Sequence, residues 1–260
     1  MFERMKNIVI KIKQLRPLIL NITNDVTMDF IANGLLSLGA SPVMSKAEQE
    51  IKELVQLASV VVINLGTLDA KFIALCEHAC SIANQLGKPI ILDPVGAGAS
   101  HYRTRTGLNL IDQYDIAIIK GNASEIMSIA GSTIITKGVD STAQTDFAIE
   151  SAQMLAIHYD ATVVVSGKTD IIVDSNRIRQ FTYGVPLMSQ VTGTGCLLAA
   201  IIGSFHALEK NRFNACALAV SFYGICGERA ASRAKGPASF KIQFLDELNL
   251  IPDALSYEKD

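Results

Sequence analysis

The sequence predicts an α/β layer fold, a mostly parallel sheet covered by helices on both faces. Three observations predict it. Short runs nearly continuous in Val, Ile and Leu recur along the chain, as in strands buried on both sides. Segments of helical period separate those runs, which is the alternation of an α/β protein. Glycine and polar residues gather just after the runs, where such sheets place their ligand sites.

The opening MFERMKNIVIKIK reads as an amphipathic helix, because Lys11 and Lys13 interrupt any signal-type apolar core. Strand-like runs follow at Pro17–Ile22, Ser41–Met44, Val60–Leu65, Pro89–Asp93, Asp115–Ile119 and Thr162–Val165. Between them, helical period marks Met28–Leu38, Lys46–Ala58, Ala70–Leu86, Tyr102–Gln113, Ala123–Ala130 and Ala143–His158. The pattern then changes to two short strands, Thr169–Asp174 and Arg177–Thr182, around an Asp174-Ser-Asn176 turn. Beyond Gly193 the chain reads as helical: Cys196–Leu208, Phe213–Ala234 and Ser239–Leu248, with Pro237 near the start of the last. With no linker, charge block or repeat, residues 1–260 read as one domain.

A net charge of −2 offers no basic field for nucleic acid. The apolar stretches are far shorter than the roughly 20 residues of a spanning helix, so no membrane association is expected. Five thinly spread cysteines, an odd number, point to reduced thiols in the cytoplasm. A 49% hydrophobic and only 18% charged chain suggests that copies of itself cover part of its surface.

The strongest chemical feature is Thr192-Gly193-Thr194-Gly195-Cys196 ahead of an apolar helix. Glycines let backbone N–H groups turn inward, and the helix adds the positive end of its dipole, which together suit phosphate oxygens. Two better-known phosphate motifs fail. Around Gly167-Lys168-Thr169 a P-loop would need its first glycine at Thr162, and after Gly96-Ala-Gly98 a dinucleotide fingerprint would need its third at His101. Asp93, at the end of a buried strand, reads equally as a magnesium ligand or an Asp-Pro turn. Spacing alone makes Glu125 a cap or helix-dipole partner. Cys76-Glu-His78-Ala-Cys80 reads as packed thiols rather than a zinc site, since His78 leaves the face the cysteines share. His101, His158 and His206 have no Ser or Asp partner suited to a hydrolytic triad.

Taken together, these blocks resemble the hydroxyethylthiazole kinases of thiamine biosynthesis, within the ribokinase-like superfamily. Asn21-Ile-Thr-Asn24 and the segment from Ala32 to Met44 look like that family's thiazole-binding region. Asp93-Pro-Val-Gly96, Lys120-Gly-Asn-Ala-Ser-Glu125 and Val191–Cys196 look like its other three blocks. The resemblance implies a ribokinase-like three-layer sandwich and transfer of the ATP γ-phosphoryl group to a thiazole alcohol. It implies that Met44, Gly193 and Asn24 meet the alcohol, Lys120 and Ser166 the ATP, and Asp93 and Glu125 the Mg2+. It places Cys196 and Gly195 at the reacting groups, in a homotrimer with active sites at subunit boundaries. Two positions depart from wider patterns. Lys120 stands where many relatives carry Arg, losing the bidentate fork. Cys196 stands where sugar kinases of the superfamily carry a basic Asp, which favours a thiazole kinase over a pyridoxal or sugar kinase. A hydroxymethylpyrimidine kinase, and a nucleotide-binding regulator or dehydratase of the same fold, are the competing readings.

Overall fold

The computed structural model describes residues 1–131 and 141–250, the side chains of 141–145 excepted. Eight strands form one sheet in the order β2-β1-β3-β4-β5-β6-β7-β8. They are β1 (Leu18–Ile22), β2 (Ser41–Met44), β3 (Val60–Asn64), β4 (Ile90–Asp93), β5 (Ile118–Asn122), β6 (Thr162–Ser166), β7 (Asp170–Val173) and β8 (Ile178–Phe181). The first six pair in parallel, and β7 and β8 close the far edge as antiparallel strands.

Period-two alternation sorts the sheet into two cores. Ile19, Val60, Val62, Ile91, Ile118 and Val164 face one helical layer. Their neighbours Leu20, Val61, Ile63, Leu92, Ile119 and Val165 face the other. The first layer holds α1 (Phe2–Leu15), α2 (Met28–Leu38), α8 (Thr194–His206), α9 (Arg212–Arg233) and α10 (Pro237–Leu248). The second holds α3 (Glu48–Leu57), α4 (Ala70–Gln85), α5 (His101–Gln113), α6 (Ala123–Ile129) and α7 (Ser141–His158). Cys76 and Cys80 are buried within the second layer, as their shared helical face predicts.

Two expectations shift, and one short element is added. The fifth strand runs Ile118–Asn122, not Asp115–Ile119, so Lys120 lies inside a strand instead of after one. Pairing decides this: Ile118 to Asn122 find partners from Thr162 to Ser166 on β6, whereas Asp115 stays in the approach. The eighth helix starts at Thr194, two residues before the expected Cys196, which puts Gly195 and Cys196 in its first turn. A short 3-10 turn, Pro186–Gln190, leads into it.

The order 2-1-3 creates a switch point. The chain leaves β1 toward β2 on one side and returns to β3 on the other, opening a crevice beyond the carboxyl ends of β1 and β3.

Candidate active site

Strand parity assembles the site. Asn64, Asp93, Lys120 and Ser166 each lie two residues after Val62, Ile91, Ile118 and Val164, which face the α8 layer. All four therefore emerge on the α8 side at or near the ends of their strands. A hydrogen-bonded row crosses the sheet edge. Asn24 Nδ2 donates to Asn64 Oδ1 at 2.8 Å, and Asn64 Nδ2 donates to Asp93 Oδ2 at 2.9 Å. The Lys120 ammonium stands 3.5 Å from both Asp93 oxygens.

Above the row sits the start of α8. Its N-cap Gly193 has φ 97°, a left-handed conformation, and no side chain caps this helix end. A Cβ at Gly193 would come within 2.9 Å of Thr27 Cγ2, so close packing as well as conformation demands glycine. Gly195 is helical, and a Cβ there would stand 3.3 Å from Lys120 Nζ. A buried cation and an uncapped helix N-terminus thus converge on one place, the combination that holds an anion. The Thr194 hydroxyl is spent structurally, donating toward the Met188 carbonyl at 2.9 Å, while Tyr223 OH donates to the Thr194 carbonyl at 2.7 Å.

Asp93 is fully buried, and burial lifts its carboxyl to about 7, with Lys120 pulling against the rise and Glu125 adding to it. Burial pulls on Lys120 in the opposite sense, but the Asp93 and Glu125 carboxylates and Cys196 more than offset it, so its pKa is raised and the amine stays charged. Cys196, half-buried, accepts a hydrogen bond from Asn24 Nδ2 at 3.5 Å. Burial and Asp93 raise its thiol pKa, while Lys120, Asn64 and Thr27 pull it back, leaving the thiol protonated at neutral pH.

Glu125 takes the structural role that spacing suggests. It completes a capping box with Asn122, accepting from the Asn122 backbone N–H at 2.8 Å, and its other oxygen accepts from Gly96 N–H at 2.9 Å. The carboxylate therefore ties the loop after β4 to the start of α6 beside Asp93. Asp93 Oδ1 and both Glu125 oxygens each accept one hydrogen bond and keep a further lone pair, and this hard oxygen donor set fits a magnesium ion held largely through water.

Ser166 and Gly195 line one cavity of about 440 Å³, together with Lys168, Asp170, Tyr183, Val185, Met188, Leu198 and Tyr223. Met44 ends β2 opposite Asn21 of β1, half-buried on the far side of the crevice from Ser166. Asn24 is 3% exposed, with its amide hydrogen-bonded to Asn64, Cys196 and the Thr27 backbone N–H. Nearby, Asn21 Oδ1 and Thr23 Oγ1 are buried polar atoms without a hydrogen-bond partner among the described residues.

Asn64 belongs to the polar residues that gather at the strand ends, but nothing in its own run shows that it bridges Asn24 and Asp93. Asp170 carries no such signal. Asp170 begins β7 and accepts from Gly167 N–H at 2.9 Å; burial raises its carboxyl to about 6, with Gly167 and Lys120 opposing. Nothing in its local sequence announces that it lines the cavity.

Residues 9–253 match the family described as the hydroxyethylthiazole kinase family. The chain is 44% identical over 246 residues to a hydroxyethylthiazole kinase of Brachyspira hyodysenteriae, covering 95% of this chain and 93% of the relative. It is 42% identical to the kinase of that name in Methanococcus maripaludis, covering 96% and 94%. The solved hydroxyethylthiazole kinase of Pyrococcus horikoshii superposes with TM-score 0.87 at 39% identity, over 95% of this chain and 93% of that one. A Bacillus subtilis pyridoxal kinase, solved as an ADP complex, superposes with TM-score 0.60 at 12% identity over 81% and 91%, a likeness of fold.

Proposed function

This chain belongs to the hydroxyethylthiazole kinase family, and from that premise we propose how its crevice phosphorylates the hydroxyl of 4-methyl-5-(2-hydroxyethyl)thiazole with ATP, in thiamine biosynthesis or salvage. The observation that carries the reading is the convergence of Lys120 Nζ and the α8 N-terminus beside Gly195. In the proposed complex the γ-phosphoryl group lies against the Gly193–Cys196 turn. The nucleotide extends into the cavity lined by Ser166, and the thiazole sits on the Met44 side with its alcohol over Cys196.

The alcohol oxygen attacks the γ-phosphorus in line as the bond to the ADP oxygen breaks. Phosphoryl transfer passes through a loose transition state, so positioning and charge stabilisation supply most of the acceleration. Backbone N–H groups at the start of α8 receive the charge developing on the phosphoryl oxygens, and Lys120 steadies the departing ADP. Cys196 hydrogen-bonds the attacking hydroxyl instead of stripping its proton in advance, because its thiol is held protonated; the proton leaves late, passing to an oxygen of the transferred phosphoryl group. Asp93 and Glu125 are the residues that would hold a magnesium ion, which would supply neutralisation of the polyphosphate charge. Asn24 contributes by fixing Cys196 and the Thr27 backbone.

We place the reaction in a single cytoplasmic domain acting as a homotrimer. Exposed Val26, two residues beyond Asn24, supports an interface at the site. The described cysteines are all free thiols, and no helix among the described residues is long and apolar enough to cross a membrane.

The decisive assay is ADP release with ATP and magnesium over a panel of small alcohols. Release should require the thiazole alcohol. Equal release with hydroxymethylpyrimidine would move the substrate assignment, and alcohol-independent behaviour would end the kinase reading.

A further inference from the structure

At the centre of the site the mechanism leaves the buried polar side chain of Asn64 without a role. Asn64 is 1% exposed and makes three hydrogen bonds. Its Oδ1 accepts from Asn24 Nδ2 at 2.8 Å and from the Gly66 backbone N–H at 3.0 Å, while its Nδ2 donates to Asp93 Oδ2 at 2.9 Å. Asn24 is equally engaged. Its Oδ1 accepts from the Thr27 backbone N–H at 3.0 Å, and its Nδ2 reaches both Asn64 and the Cys196 sulfur, the latter at 3.5 Å.

The direction of these bonds is forced. An amide can be flipped on paper, but a backbone N–H can only donate. Thr27 N–H therefore holds Asn24 with its oxygen inward and its two N–H bonds outward. Gly66 N–H holds Asn64 with its oxygen toward Asn24 and its N–H bond toward Asp93. Two main-chain donors thus impose one polarity: Asn24 donates to Cys196 and to Asn64, and Asn64 donates to Asp93. Both ends of the row, a sulfur and a carboxylate, are fixed as acceptors. The thiol hydrogen of Cys196 is left for a partner other than Asn24.

We propose that Asn64 is a positioning residue that couples the carboxylate on the phosphate side of the site to the thiol on the acceptor side. Asparagine both accepts and donates without carrying charge. Aspartate keeps the shape and both accepting contacts but replaces the N–H donor with a second carboxyl, so Asp93 either loses that donor or shares a proton with it, and in both cases its charge and alignment change. Alanine breaks the row at its centre and frees Asn24 to turn away from Cys196. The roles given to Asp93 and Cys196 rest on the kinase reading above, whereas the hydrogen-bonded coupling between them does not.

Two readouts test this. The first is steady-state kinetics of Asn64→Ala, Asn64→Asp, Asn24→Ala and the Asn24→Ala/Asn64→Ala double variant. Both Asn64 variants should lose about 10–100-fold in kcat with KM for ATP and thiazole within about 3-fold, the pattern of lost alignment rather than lost binding. The double variant should be no slower than the slower single, since residues acting as one unit are not additive. The second readout needs no turnover: the rate at which iodoacetamide alkylates Cys196 at mildly alkaline pH, the other four cysteines being buried. Asn64, with the Asn24 N–H it orients, favours the thiolate, so Asn64→Ala should slow alkylation by about 3-fold or more. Multiplicative single effects, a wild-type kcat in Asn64→Asp, or an unchanged alkylation rate in a folded Asn64→Ala would each overturn the proposal. If Asn64→Ala does not fold, the isosteric Asn64→Asp decides by its kcat. If the wild-type chain turns over no alcohol, the functional reading fails, while the alkylation comparison still judges the coupling.

Discussion

Gly193 and Gly195 sit two residues apart yet are glycines for different reasons. At Gly193 a side chain would have to adopt φ 97° and press on Thr27, so Gly193→Ala should cost folding as well as activity. Left-handed backbone alone costs a residue with a Cβ about 1–2 kcal/mol. At Gly195 the backbone is helical, and an added Cβ would meet only the end of the Lys120 side chain, at 3.3 Å. Gly195→Val should therefore melt near the wild-type temperature while kcat falls by a factor approaching that for one lost oxyanion donor, about 100–1000-fold. Paired melts and kinetics separate the two, and a Gly195→Val enzyme of normal kcat would reduce the turn to scaffolding. Cys196 should matter less than its position suggests, because its thiol is protonated and the transition state is loose. Cys196→Ala should lose about 10–100-fold in kcat, and Cys196→Asp should remain active, a carboxylate being the better acceptor near neutral pH. Complete inactivity of both at saturating substrates would make the thiol indispensable.

At the scale of elements, α6 shows how one side chain can serve fold and chemistry together. Glu125 caps its own helix and ties down Gly96, so its carboxylate is rigid before any ion arrives. Glu125→Gln keeps the volume but replaces one accepting oxygen with a donor that faces a backbone N–H. The variant should lose about 0.5–2 kcal/mol of stability, as capping losses do. It should also need more magnesium for half-maximal turnover. A melt combined with a magnesium titration of kcat checks both, and a lowered melting temperature with an unaltered titration would confine Glu125 to the cap. The same logic of paired duties holds α8 in place, where Thr194 and Tyr223 fasten the turn that presents the amides.

At the scale of the molecule, exposed apolar side chains stand on several elements of the first layer and its loops. Leu15 is 65%, Val26 70%, Leu36 52% and Ile242 62% exposed, and Val26 lies beside the crevice. Scattered apolar residues are ordinary on a surface, so of these Val26, in the loop after β1, is the one whose substitution tests an interface at the site. Light scattering at micromolar concentration should give a species near three times 28.0 kDa. Val26→Asp should shift it toward the monomer and weaken thiazole binding in parallel. A wild-type protein that stays at 28.0 kDa while turning over normally would remove the trimer from the account.

The sequence by itself determined the layer order, because continuous Val and Ile runs can be satisfied only by burial on both faces of a sheet. It determined Met28–Leu38 and Ser41–Met44 to the residue, and it marked the glycine turn at 193–195, since local chemistry sets these. The family blocks were legible for the same reason, each being a short contiguous run. What only the tertiary structure decided lies between runs. Local hydrophobicity stopped the fifth strand at Ile119, and only pairing with β6 carried it to Asn122 and brought Lys120 into line with Asp93. Spacing could cap α6 with Glu125 but could not show the second bond to Gly96. Asn24, Asn64, Asp93 and Cys196 are scattered across more than 170 positions, and their row exists because parallel strands bring their carboxyl ends to one edge. Hydrogen bonds between side chains so distant in sequence leave no local periodicity to read. Their geometry is fixed by register and by the two backbone donors at Thr27 and Gly66.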